Sequence, residues 1–196
     1  MLVAKYDNMR HILGMIVPGR KANPGIGKGR KLSMENVDDT RAAMANRLFF
    51  RLYQCANMLH KTGTRAIEAE GLTTQQWAVL GALSRPQAGG AMKLGELARY
   101  LMVSRQNLAG VIGRLERDGR VESTSDPQDG RSRLIRLTPG GRQVWQRKAV
   151  PKIRDYSGQA LEGFSVNDMV HTVHYLLKML ENMQKIDEPD GDGEAE

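Results

Sequence analysis

Residues 94–118 constrain this chain more than any other stretch. Two segments with helical apolar spacing, LGELARYL and SRQNLAGVIGRLERDG, are separated by only Met102 and Val103. Their apolar residues are Leu94, Leu97, Ala98, Leu101, Val103, Leu108, Val111, Ile112 and Leu115. So tight a turn forces these faces to be buried together at a steep angle, which is a helix-turn-helix arrangement. Ser104 is placed to cap the second segment, and Gly119 to end it. Ser104, Arg105, Gln106, Asn107, Gly110, Gly113, Arg114 and Arg117 remain on the outer side. Asn and Gln pair bidentately with adenine and Arg with guanine, so this helix start suits a major groove. Gly110 and Gly113 each cost about 1 kcal/mol relative to alanine, which suggests a face pressed close to something. For these two segments alone, an ordinary helical hairpin with a polar outer face stays open as the alternative.

The next residues narrow the choice. Val121 to Thr124 reads as a strand, DPQDGR as a turn and SRLIRL as a second strand with alternating sides. A hairpin directly after the second helix is a wing, and Arg131, Arg133 and Arg136 put cations on it, within reach of phosphates or a minor groove. Upstream, a long helix is expected from Asn36 to Gly71. Its stripe is Met44, Leu48, Leu52, Ala56, Leu59, Gly63 and Ile67, and Phe49, Phe50 and Tyr53 form a second apolar set beside it. A helix capped by Thr73 or Thr74 follows and stops at Pro86. Downstream, a helix starts at Thr138, with Pro151 as an expected kink, and a last helix starts at Ser165. That helix carries Val166, Met169, Val170, Val173, Leu176, Leu177, Leu180 and Met183 at heptad-like spacing, a stripe that needs a partner.

Charge is distributed unevenly along the 196 residues, whose formal net charge is +7. Residues 1–36 hold seven Lys or Arg against two acids, and residues 187–196 hold six acids and no base. The body between them is therefore more basic than the chain as a whole, which suits a polyanionic partner. Residues 1–35, rich in Gly, Pro, Lys and Arg, read as a flexible basic arm, and residues 187–196 as a disordered acidic tail. No apolar run approaches the length of a membrane span, and HILGMIV at 11–17 lacks the context of an export signal. Cys55 stands alone, so no intramolecular disulfide forms and a reducing cytoplasm is expected.

At this point the chain resembles the MarR family of bacterial regulators. The matching stretches are LTTQQWAVLGAL, LGELARYLMVSRQNLAGVIGRLERDGRV and DPQDGRSRLIRLTPGGR, the last joining wing, strand and helix start; together they cover about residues 38–185. Gln128 stands where an Arg or acid is frequent in the family, and the basic arm is an addition. The resemblance implies a mainly α fold with a small β-hairpin wing. A winged helix-turn-helix lobe would occupy residues 72–137, and dimerisation helices residues 36–70 and 138–186. It implies a homodimer on palindromic double-stranded DNA, with Ser104, Arg105, Gln106, Asn107 and Arg114 serving the recognition helix. Asp129 and Arg131 would brace the wing, Arg131 would enter the minor groove, and Arg133 would meet phosphates or that groove. It also implies a small effector, an aromatic acid or phenol, between the dimer layer and the DNA-binding lobe. Candidate lining there is Tyr53, His60, Trp77 and Arg142, with Phe50 beside them.

Other constellations carry less. His171 and His174 share a face but lack converging ligands for a metal. Cys55 is expected to be buried and unreactive, because Phe49 stands where peroxide-sensing relatives place their cysteine. No phosphate loop, nucleophile elbow or carboxylate pair stands out, so no enzyme and no cofactor is expected. The leading reading is a repressor released by its effector. A redox sensor through Cys55 and a winged-helix interaction or architectural module without a ligand are the alternatives.

Overall fold

The computed structural model describes residues 34–126 and 132–187. The chain divides into two compact units, residues 1–47 and 48–196. Within the first, the described part is the N-terminal end of α1 (Met34–Ile67), where Met44 is exposed. The rest of α1 and all other described elements belong to the second unit.

α1 begins two residues before the expected Asn36 and ends at Ile67, where a 3-10 turn, Glu68–Glu70, closes on Gly71. α2 (Thr74–Leu83) starts on a reciprocal cap: Thr73 Oγ1 accepts the Gln76 N–H while Gln76 Oε1 accepts the Thr73 N–H. β1 (Ala91–Lys93) leads into α3 (Leu94–Tyr100) and α4 (Arg105–Arg117). β2 (Val121–Ser125) and β3 (Arg133–Leu137) form the hairpin, and β1 pairs antiparallel on the far edge of β3, giving the order β1-β3-β2. α5 (Pro139–Val144) passes through a π-helical turn, Trp145–Ala149, into α6 (Val150–Ala160), and α7 (Val166–Asp187) closes the described chain. The irregularity expected at Pro151 thus takes the form of a π turn just before it, completed by the Val150 N–H on the Trp145 carbonyl.

The core lies under the helix-turn-helix. Leu80 and Leu83 of α2, Leu97 of α3, Leu108, Ile112 and Leu115 of α4, and Ile135 of β3 are fully buried and form one cluster with Ile67 and Leu72. This cluster fixes the rotation of α4 about its axis and hence the face α4 turns outward.

The turns at either end of α4 end their helices alike. After α3, Met102 adopts φ 53; its N–H reaches the Arg99 carbonyl, and the Val103 N–H reaches that of Ala98. After α4, Gly119 at φ 62 does the same through Glu116 and, with the Arg120 N–H, Leu115. Glycine takes this left-handed conformation freely, whereas methionine pays about 1 kcal/mol for it.

At the base of the hairpin, Thr138 caps α5 by accepting the Gly141 N–H at 2.9 Å and donates its own hydroxyl to the Gly119 carbonyl at 2.7 Å. The Arg120 carbonyl presses into the same corner, 1.8 Å from where a Cβ on Gly141 would stand. Because the obstacle is backbone, Gly141→Ala is expected to destabilise the fold by about 1–3 kcal/mol. A chemical-denaturation midpoint equal to wild type would contradict this.

The outer helices contrast with the core. α7 has no buried residue, and Val170, Val173, Leu176 and Leu177 are exposed, as are Leu48, Phe49, Phe50, Tyr53 and Leu59 on α1. Cys55 lies on this uncovered part of α1 and is exposed, which corrects the expectation that it is buried. Among the described residues, no element covers that face of α1. His171 and His174 are exposed on α7. No helix among the described residues is long and apolar enough to cross a membrane.

Candidate nucleic-acid interface

The outer face of α4 is built from its cap. Ser104 has extended backbone angles, and its Oγ accepts the Asn107 N–H at 3.2 Å, satisfying one of the free donors of the first turn. Leu108, Val111, Ile112 and Leu115 take the inner face, so Arg105, Gln106, Asn107 and Arg114 stand exposed on the outer one. The amide groups of Gln106 and Asn107 are unengaged among the described residues and free to pair elsewhere. Arg114 donates Nε to the Gly110 carbonyl at 3.2 Å, which lays its guanidinium along the helix surface. The Arg105 guanidinium folds back over Gly95 of α3, 3.4 Å from where a Cβ would stand.

Gly110 and Gly113 face open space: no described atom lies within 4 Å of a Cβ built on either. Among the described residues nothing presses on them, so a backbone stripe on α4 is open to close approach. Next to this face, β2 and β3 pair in register from Val121↔Leu137 to Ser125↔Arg133. Asp129 and Arg131, expected to brace the wing and enter a groove, lie outside the described residues. Arg133 is described and is engaged: its Nη2 donates to Glu116 Oε1 on α4 at 3.1 Å. Arg136 and Arg117 are exposed nearby.

The expected effector residues separate into groups. His60 Nδ1 lies 2.8 Å from Thr74 Oγ1, and Thr74 bonds Thr64, so α1 and α2 are stitched together where Gly63 lets them approach. Trp77 packs beside Gly63 and meets Tyr156 of α6 edge to face at 6.2 Å. His60 and Trp77 therefore share one neighbourhood. Tyr53 projects from the uncovered face of α1, 66% exposed. Arg142 lines a different hollow with Leu137, Pro139, Gln143, Gln146 and Arg147.

Sequence reasoning passed over the hollow beside Tyr156. It measures about 650 Å³ and is lined by Thr62, Arg65, Lys152, Asp155, Tyr156 and Gln159, with Thr62 Oγ1 2.9 Å from the Tyr156 hydroxyl. Lys152 also bonds Glu70 at 2.8 Å, and this hydrogen bond, reinforced by the charges of Lys152, Lys148 and Arg120, holds the Glu70 carboxyl below its usual range. The signal was weak, because these residues come from segments some 90 positions apart and show no local pattern.

Comparison with known proteins agrees with this geometry. Residues 70–132 match the model of the MarR family. The chain is 63% identical over 159 residues to the transcriptional activatory protein BadR of Rhodopseudomonas palustris, covering 81% of this chain and 91% of that one. It is 30% identical over 130 residues to the homoprotocatechuate degradative operon repressor of Escherichia coli, covering 65% of this chain and 84% of that one. Among solved structures, it is similar to Bordetella bronchiseptica BpsR, whose DNA binding is regulated by 6-hydroxynicotinic acid. That likeness has a TM-score of 0.58 at 28% identity, over 69% of this chain and 98% of that one.

Proposed function

Because the chain belongs to the MarR family of transcriptional regulators, we propose that it reads a palindromic operator in double-stranded DNA as a homodimer and responds to a small aromatic acid. The observation that carries this reading is the bare outer face of α4, with two unengaged amide side chains and two open glycines beside a three-stranded wing. An α-helix of this kind fits the width of a major groove. Gln106, Asn107, Arg105 and Arg114 face base edges in this reading, while Ser104 works chiefly as the cap that aims them. Asp129 and Arg131 retain the wing roles that the family resemblance implies.

The effector class is supported by relatives whose names concern homoprotocatechuate degradation and 6-hydroxynicotinic acid, both aromatic acids. His60 and Trp77 supply a ring face and a polar anchor in one place, which is the chemistry such a ligand needs. Tyr53 would join them from the dimer side, and Arg142 is the least favoured member because it lines a separate hollow. For the direction of control we adopt activation, since the relative at 63% identity is named an activator. Repression, the sense in the name of the 30% relative, uses the same protein–DNA contact with the operator placed over the promoter.

The exposure of Cys55 favours one second reading, a thiol switch. A single experiment separates the two. A duplex selected from a random pool is titrated with the wild-type chain and with Cys55→Ser, each alone, with a series of aromatic acids, and with peroxide. The effector reading expects an aromatic acid to change the affinity for the duplex equally in both chains. A response to peroxide alone, lost in Cys55→Ser, would replace it with the redox reading. Equal affinity for every duplex would favour an architectural module.

A further inference from the structure

The wing is tied to the recognition helix by side chains as well as by the peptide chain. At its base, Thr138 holds the carbonyls of Gly119 and Arg120, so the hairpin leaves α4 at a fixed point. Further out, the end of β2 is held from one side, where Lys93 Nζ of β1 meets Asp126 Oδ2 at 2.6 Å. The start of β3 is held from the other, where Arg133 meets Glu116 of α4 at 3.1 Å. Glu116 is half-buried in the last turn of α4, with 29% of its side chain exposed against 55% for Arg133, so the carboxylate is the better-anchored partner.

A guanidinium paired in this way contributes little to binding a polyanion. Affinity from phosphate contacts comes from releasing counterions, and a neutral pair brings no net charge to release them. A phosphate approaching Arg133 would meet the repulsion of the Glu116 carboxylate beside it. We propose that Arg133 is a positioning residue: with Glu116 it sets the angle between the wing and α4, and it does not itself neutralise a phosphate. This deepens the DNA-binding reading above and rests on it.

The two roles differ in sign as well as size. If Arg133 grips DNA, Glu116 is a competitor, and removing its negative charge tightens binding. If Arg133 positions the wing, removing either partner loosens it. The experiment measures affinity for one operator duplex across a range of salt concentrations for wild type, Arg133→Gln, Glu116→Gln, and the exchanged pair Arg133→Glu with Glu116→Arg. Exposed ion pairs are worth up to about 1 kcal/mol, so each single change should weaken binding about two- to five-fold with an unaltered salt slope. The exchanged pair should recover most of that loss, which a general loss of fold in either single variant would not allow. Tighter binding by Glu116→Gln, or a slope shallower by about 0.9 for Arg133→Gln, overturns the proposal. A wild-type chain that binds no duplex at all removes the DNA-binding reading itself, and this proposal with it.

Discussion

Replacing both Leu176 and Leu180 with Asp is expected to leave a chain that sediments as a monomer or drops out of solution, while the wild type sediments as a dimer. α7 buries no residue within its own chain, and 43% of Leu176 is exposed although its spacing is that of an interior stripe. Phe49, Phe50, Tyr53 and Leu59 of α1 are exposed in the same way, and patches of this size on a folded chain mark contact surfaces. Burying a leucine is worth about 1.5–3 kcal/mol. A two-fold interface uses each residue twice, and both leucines are already partly buried in the single chain, so the double variant loses on the order of 2–5 kcal/mol of interface burial, to which the cost of four desolvated carboxylates is added. Few dimers survive the two losses together, because about 12 kcal/mol is the whole of a nanomolar interaction and several kcal/mol attend each buried unpaired carboxylate. A soluble double variant that still sediments as a dimer at micromolar concentration would remove α7 from the interface.

The parts of this fold that were legible in the sequence are those determined by near neighbours. The apolar spacing of Leu97, Leu108, Ile112 and Leu115 placed the core, and Thr73, Ser104 and Thr138 marked helix starts that the structure caps with their side chains. Gly119 announced the end of α4 because it stands at the left-handed position. The matching turn after α3 gave no such signal, since Met102 fills that position and tertiary packing overrides its preference. Cys55 was misjudged for a related reason. Periodicity shows that a helix face is apolar, but not whether the chain itself or a partner covers it.

The candidate site was legible only in part. Residues of one helix could be grouped by spacing, and Arg105, Gln106, Asn107 and Arg114 do share the exposed face of α4. Groups drawn from distant segments could not. His60 and Trp77 meet around Gly63, while Arg142, chosen for its charge, stands elsewhere. The bond from Arg133 to Glu116 spans 17 positions and depends on the register of the hairpin, which no local pattern announces.

The second large effect concerns how DNA is read, and here the amides and the wing cation should behave differently. Gln106 and Asn107 open α4 with side chains that no described residue engages, so their truncation costs the fold little and the operator much. Each bidentate contact with a base edge discriminates by about 1–3 kcal/mol. The double change Gln106→Ala with Asn107→Ala should therefore weaken binding to the preferred operator by about 2–6 kcal/mol. Binding to unrelated duplexes should change hardly at all, because that component comes from phosphates. Arg131, which the sequence puts between β2 and β3, belongs to the opposite kind. Arg131→Ala should weaken binding to all sequences alike and flatten the salt slope by about 0.9, the share of one phosphate; a minor-groove contact would add a loss concentrated at narrow A·T tracts. The measurement is affinity for a panel of single-position operator variants at several salt concentrations. Loss confined to particular base pairs identifies the amides as readers. A uniform loss in the amide variant would mean that α4 lies along the backbone, and an unchanged affinity would mean that this face of α4 does not meet DNA.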